Sequence, residues 1–279
     1  MKKPEIHLTF FQGLANTLVS LVVVLFFMPF YLAVSYSFKT NQEIASNPLS
    51  LPKTLSFFNF AKAIEVSDYF HGFRNSIIVT VCTVFISIIV CSMAGYIIAR
   101  TKNRWYSFVS QLFVASVFIP FQIIMFPLYR MLKVTHLLNT LPSLVLVLTG
   151  MQIGLNVFLY VGYIKSIPPS LEEAAFIDGS SRFRTFWQII FPLIKPITMT
   201  VAVLTVLGAW NDFIVSVIIA QKAVVRTLPL MQYYFIGQYN LEINLAFAFA
   251  VLTIIPIMLF YFMVQKYIVD GFTVGSVKG

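Results

Sequence analysis

Side chains able to do chemistry are scarce in this sequence and lie far apart. His7, His71 and His136 fall in three different segments, and no His-Glu-x-x-His is present, so nothing sets two imidazoles one helical turn apart for a metal. Each histidine reads as a polar residue at an interface. Cys82 and Cys91 are nine residues apart. On one helix that is ~13.5 Å along the axis, beyond the ~7 Å between Cα atoms that a disulfide spans. They read as two small residues packed in a helix. No glycine-rich loop ends in Lys-Ser or Lys-Thr, so no phosphate cradle of that type is written into the chain. Clustered acids, or a nucleophile beside its base, are equally missing. The expectation is a protein that is no enzyme, with no metal and no cofactor of its own.

The elements that hold these residues are apolar. Of 279 residues, 59% are hydrophobic and only 10% charged, with a mean hydropathy of +0.86. Soluble domains carry about 25% charged residues, and a globule this small could not hide the excess. A single soluble domain, a disordered chain and a disulfide scaffold are excluded. The 29 Phe and 13 Tyr suit spans with aromatic belts at both membrane faces. The net charge of +9 would suggest nucleic acid for a soluble protein. Here the cations are spread thinly between apolar runs, which suits an anionic bilayer surface instead.

A span needs about 20 apolar residues, and six stretches qualify: within Leu8–Phe38, Asn75–Ala99, Trp105–Tyr129, within Leu137–Ile164, Pro196 to about Gln221 with an interruption at Asp212, and within Ile243–Gln265. The first is too long for a removable signal peptide, and Pro29 and Phe30 continue it where cleavage would fall. The expected fold class is all-α, a polytopic membrane protein of six transmembrane helices. Lys39–Phe73, with Pro48 and Pro52, reads as an ordered loop with one short helix. The connection Arg100-Thr101-Lys102-Asn103-Arg104 concentrates three cations in five residues. That density places it, both termini and the Lys165–Lys195 loop on the cytoplasmic side. Asp212 is the one carboxylate inside an apolar stretch. A charge at a helix centre costs about 2.5–3.5 kcal/mol on insertion scales. It should therefore face protein or water, either lining a path with Asn211 or paired at an interface.

The most informative stretch is Ser166-Ile-Pro-Pro-Ser-Leu-Glu-Glu-Ala-Ala-Phe-Ile-Asp-Gly179. Pro168 and Pro169 stop the preceding helix. Ser170 and Glu173 have the spacing of a capping box, and Glu172 and Glu173 fall in a first turn, where the dipole favours anions. Ala174 and Ala175 leave a bare helical surface. Gly179 suits a C-terminal turn at positive φ. A short, well-stopped helix results, a knob of small residues for a partner's groove. Phe183, Phe186, Trp187 and Ile190 then recur as one apolar stripe, with Arg182, Arg184 and Gln188 off it. Pro192 and Pro196 should kink the entry to the next span.

Glu173-Ala174-Ala175, three residues, Gly179, nine residues, Ile189, one residue, Phe191-Pro192 resembles the EAA motif of ABC importer permeases, with Phe191 where that motif usually has Leu. Phe73-Arg74-Asn75-Ser76, Gly95-Tyr96-Ile97-Ile98-Ala99-Arg100, Ile119-Pro120 to Pro127-Leu128-Tyr129 and Leu138-Asn139-Thr140 extend the likeness over most of the chain. Trp210-Asn211-Asp212-Phe213 and the ending Asp270–Gly279 are similar to the carbohydrate branch, specifically its maltose-type second permease.

The resemblance implies a type I ABC importer permease fold, with one transmembrane domain over residues 1–279. Within it, core spans occupy about 73–267, a cytoplasmic coupling loop 165–195 and a cytoplasmic tail 268–279. It implies half of a translocation path for a sugar, a di- or oligosaccharide, in a bacterial cell membrane. A second homologous permease, an ABC ATPase dimer that binds the ATP, and an extracellular sugar-binding protein complete the machine. Nucleic acid has no place in it. The ATPase-coupling residues would be Glu173, Ala174, Ala175 and Gly179, and the tail Thr273, Val274, Gly275, Ser276, Val277, Lys278 and Gly279 would reach between the ATPases. Asn211 and Asp212 are candidates for the path. A permease for a non-sugar solute is the alternative. A channel or secondary transporter fits less well, because it leaves the loop unexplained.

Overall fold

A computed structural model describes residues 5–238 and 242–276, with side chains for 12, 13, 15–233, 235 and 242–265. Among the described residues every regular element is helical. In chain order these are α1 (Glu5–Phe38), α2 (Asn41–Ser46), α3 (Phe58–Ser67), α4 (Tyr69–Arg100), α5 (Arg104–Ser116), α6 (Phe121–Val134) and α7 (Leu141–Ser166). Then come α8 (Ser170–Ile177), α9 (Arg182–Thr185), a π-helical turn (Phe186–Ile190), α10 (Phe191–Leu193), α11 (Lys195–Trp210), α12 (Ile214–Ile219), a 3₁₀ turn (Ala223–Val225), α13 (Leu228–Gln238) and α14 (Ile243–Ser276).

Among the described residues, four helices are long and apolar enough to cross a bilayer unbroken: Ala15–Phe38, Tyr69–Arg100, Leu141–Ser166 and Ile243–Gln265. Two more candidates are bent pairs, Arg104–Ser116 with Phe121–Val134 at 100° and Arg182–Leu193 with Lys195–Trp210 at 77°. The sequence reading treated Trp105–Tyr129 as one continuous stretch, and the structure corrects this. Pro120 has no N–H to continue the ladder and holds Ile119 out of the helical region. Phe118 and Ile119 close α5 with short backbone bonds to Ala115 and Ser116 instead. The second bend is the kink expected at Pro192 and Pro196. Pro196 sits in the first turn of α11, where its missing donor costs nothing.

The chain divides into two compact units. The first holds residues 1–69 and 232–255. Its Lys39–Phe73 connection carries two helices, α2 and α3, where one was expected. Thr40 and Glu43 form a capping box at α2, and the Thr40 N–H holds the Glu43 carboxyl below its usual pKa. Lys39 is fully buried. Its ammonium donates to the carbonyls of Asn47 (3.2 Å) and Pro48 (3.0 Å). Asn59 donates to the carbonyls of Ser37 and Lys39, both at 2.9 Å, and accepts from Asn244 at 3.0 Å. These bonds satisfy polar groups that would be costly to bury alone.

The second unit holds residues 70–231 and 256–279. Its apolar core joins Cys91 and Ile98 of α4, Val157, Tyr160, Val161 and Ile164 of α7, Phe186 and Ile190 of the π turn, and Ile197 and Val201 of α11. Two buried polar pairs tie α7 to α11: Asn156 Nδ2 donates to Thr205 Oγ1 (3.1 Å), and Tyr160 Oη donates to Thr198 Oγ1 (3.2 Å). In so apolar a setting such pairs fix register, because a slip would strand each partner. Cys82 and Cys91 both lie on α4 as free thiols.

Candidate functional site

The segment 166–193 stands at one end of this core. α7 ends at Ile167, whose backbone is extended, as a residue before proline must be. α8 starts from Pro169 with no side-chain cap. The capping box expected of Ser170 and Glu173 does not form, because Pro168 and Pro169 start the helix one residue early and place Ser170 inside it. At the other end α8 is closed by a complete Schellman turn. Gly179 N donates to Phe176 O (3.1 Å) and Ser180 N donates to Ala175 O (2.9 Å). Gly179 has the positive φ that this turn demands, +81°.

Eight residues present two faces. Ala175 and Glu172 are buried, at 7% and 5% exposure. Glu173, Ala174 and Gly179 are exposed, and Ile177 is 87% exposed. The candidate coupling residues are thus brought together on one short helix, with Ala175 turned towards the protein and the other three outward. Sequence reasoning missed Glu172. Its carboxylate accepts from Arg100 Nε (2.6 Å) and from Tyr96 Oη (2.7 Å). Arg100 Nη2 also donates to Ile167 O (3.0 Å). The available signal was that Tyr96 and Arg100 are four residues apart, hence on one face of α4. A groove of about 600 Å³ runs along this junction, walled by Tyr96, Arg100, Glu172, Glu173, Phe176 and Arg182 among others.

Ser181 caps α9 through a bond from Arg184 N (3.3 Å). The expected apolar stripe holds only in part. Phe186 and Ile190 are buried at 3% and 0%, but Phe183 is 66% exposed. Phe183 precedes the π turn, which begins at Phe186, and its ring lies 6.2 Å from that of Trp187. Phe186 packs its ring 5.2 Å from that of Tyr96.

Asp212, which the sequence reading had interrupting the fifth stretch, lies in a break between two helices. α11 ends at Trp210 and α12 begins at Ile214. In the break, the Asp212 carboxylate accepts from Val215 N (3.3 Å), Ser216 N (2.9 Å) and Ser216 Oγ (2.8 Å), satisfying the open end of α12. Asn211 is exposed and its amide donates to Leu207 O (3.0 Å). Of the tail, Val277, Lys278 and Gly279 lie outside the described residues, and Thr273 to Ser276 are described as helical backbone only.

Two motifs singled out in the sequence converge on the 219–228 segment. Asn75 Nδ2 donates to the carbonyls of Val224 and Arg226, both at 3.0 Å. Ser76 Oγ accepts from Leu228 N (2.8 Å), and His71 Nε2 lies 2.7 Å from Val224 O. Asn139, at φ +63°, donates its N–H to Ile219 O and accepts from Lys222 N, both at 2.9 Å.

A family model for the binding-protein-dependent transport system inner membrane component matches residues 91–274. The chain belongs to that family. Its members are transport permeases, not enzymes, and it is a multi-pass membrane protein. It is 40% identical, over 91% of its length and 93% of the relative's, to the "Probable starch degradation products transport system permease protein" of Thermoanaerobacterium thermosulfurigenes. It is 36% identical, over the whole of both chains, to the multiple sugar-binding transport system permease protein of Streptococcus mutans. It is 34% identical to the melibiose/raffinose/stachyose import permease protein of Bacillus subtilis, over 94% of this chain and 95% of that one. The fold is that of a chain in the crystal structure of a bacterial ABC transporter involved in import of the acidic polysaccharide alginate. The TM-score is 0.80 at 20% identity, covering 96% of this chain and 99% of the other.

Proposed function

We propose that this chain is one of two permease subunits of a binding-protein-dependent sugar importer, and that α8 is the helix through which a separate ATPase drives it. One observation carries the reading. α8 is a short helix stopped at both ends, by the two prolines and by the Gly179 turn, and it presents Glu173, Ala174 and Ile177 outward. Such a knob has bare backbone for close approach, an apolar tip and a carboxylate able to pair with a partner's cation. ATP is bound by the partner, and this chain holds none of it. A second permease shares the translocation path, and a binding protein delivers the solute. The sugar assignment is supported by relatives whose names specify starch degradation products, raffinose-type sugars and multiple sugars. The solute is accordingly a di- or oligosaccharide. Both termini and the 165–195 loop are cytoplasmic, and the tail Thr273–Gly279 adds a second ATPase contact.

The test is co-expression with the ATPase and the second permease. Glu173→Lys and Ile177→Asp should insert normally and pair with the second permease, yet lose the ATPase on purification. Uptake of labelled maltotriose, raffinose and stachyose, compared with an amino acid and phosphate, identifies the solute class. Wild-type ATPase recovery in both variants sinks the docking role, and uptake of the non-sugar solutes alone sinks the sugar assignment.

A further inference from the structure

The Arg100 guanidinium sits where three elements meet. It is the last residue of α4, it donates Nε to the Glu172 carboxylate of α8 at 2.6 Å, and it donates Nη2 at 3.0 Å to Ile167 O, the residue that caps α7. Tyr96, one turn back on α4, donates to the second oxygen of the same carboxylate at 2.7 Å. Its ring packs on Phe186 of the following π turn. The Arg100 and Glu172 side chains are 16% and 7% exposed. Beyond this network, α8 is joined to α7 by the Ile167-Pro168-Pro169 link, to α9 by the Gly179 turn, and to the protein by the buried Ala175. Among the described residues, only the network ties it to α4 through polar side chains.

We propose that Glu172, Arg100 and Tyr96 form a brace that makes α8 and α4 move as one body. Glu172 and Arg100 are positioning residues that pass a displacement of α8 into α4 as well as into α7. Three features argue for a brace over a plain contact. The carboxylate uses both oxygens on two donors of one helix, which fixes its direction as well as its distance. The guanidinium bridges two elements through its planar fork, which a lysine could not reproduce. The pair is largely removed from water, where losing one partner strands the other charge and is felt strongly. α4 is 32 residues long, about 48 Å at 1.5 Å per residue, so a tilt at its Arg100 end is delivered across the bilayer. This rests on the reading of α8 as the driven helix, but the brace itself is tested without the ATPase.

Nitroxide labels at Ile97→Cys and Ile177→Cys, with Cys82→Ala and Cys91→Ala, report the α4–α8 distance by pulsed electron resonance in the permease pair in nanodiscs. The unmutated brace should give one narrow distribution. Glu172→Gln should broaden it, Tyr96→Phe should broaden it less, and Glu172→Arg with Arg100→Glu should narrow it again. In the unlabelled assembled transporter, Glu172→Gln should keep the ATPase. Labelled oligosaccharide moved per ATP hydrolysed should fall about five- to tenfold, the low end of a typical coupling between sites. An unchanged width in Glu172→Gln, or an unchanged sugar-to-ATP ratio, overturns the brace. Retention of the ATPase by Glu173→Lys instead overturns the docking role of α8 and leaves the distance result standing.

Discussion

Gly95 of α4 lies so close to Tyr160 of α7 that a methyl group on Gly95 would stand 2.6 Å from the Tyr160 Cβ and 3.4 Å from the Tyr160 and Val161 backbone. The absent side chain lets the two helices touch along the core that carries α8. Gly95→Ala must push backbone rather than a flexible chain end, at a cost of ~1–3 kcal/mol for overpacking. At Gly150 and Gly162 of α7 a Cβ would meet nothing within 4 Å. Gly150→Ala and Gly162→Ala should be neutral or stabilising by up to ~1 kcal/mol from helix propensity. Thermal unfolding of the three variants in detergent checks the contrast. A lowered midpoint for Gly95→Ala alone is the expected outcome.

Gly179 is constrained differently. A Cβ there meets nothing within 4 Å, yet φ is +81°. Space therefore permits any residue and the backbone permits few. Gly179→Asn should be mild, because Asn tolerates the left-handed region, whereas Gly179→Val should carry strain of ~1–3 kcal/mol. Recovery of the ATPase with each purified variant, ordered Gly, Asn, Val, is the measurement. A Val variant equal to wild type would show that the turn relaxes without consequence.

Asp212 serves α12 as its N-terminal acceptor. Asn can keep the oxygen shared by Ser216 N and Oγ but loses the 3.3 Å bond from Val215 N, so Asp212→Asn should cost less stability than Asp212→Ala. Asp212→Ala should lose ~0.5–2 kcal/mol. If the carboxylate is also needed along the translocation path, Asp212→Asn will cut uptake more than Asp212→Ala's larger loss of stability would lead one to expect. Capping alone predicts normal uptake by the Asn variant.

Asn75 holds two carbonyls of the 219–228 segment at once. Asn75→Ala removes both bonds, leaving Val224 O to its contact with His71, and costs ~1–3 kcal/mol where water cannot replace the amide. Hydrogen exchange over 219–228 should accelerate in Asn75→Ala and stay slow in Ile77→Ala, which changes an outward apolar residue of the same helix.

The sequence by itself determined the class, the four unbroken spans and the stopped helix. Each rests on local information: apolar length for a span, prolines for a stop, a glycine for a left-handed turn. Gly179, Ala174, Ala175 and the kink at Pro192 and Pro196 were legible for that reason. The break at Pro120 was legible in principle, since the proline was in view, but its 100° angle belongs to the packing of the two halves. Glu172 and Glu173 are adjacent carboxylates with the same local propensity, and helix-dipole reasoning cannot separate them. Only the tertiary structure turned one inward to Arg100 and Tyr96, some 70 positions earlier, and left the other outside. Asp212 is the contrasting case, since its partners Val215 and Ser216 are only three and four residues on. Its interruption of the apolar stretch was legible, and the structure added that the carboxylate holds the start of α12. Long-range pairing decides which of several equivalent polar groups meets its partner, and no spacing within a single helix encodes it.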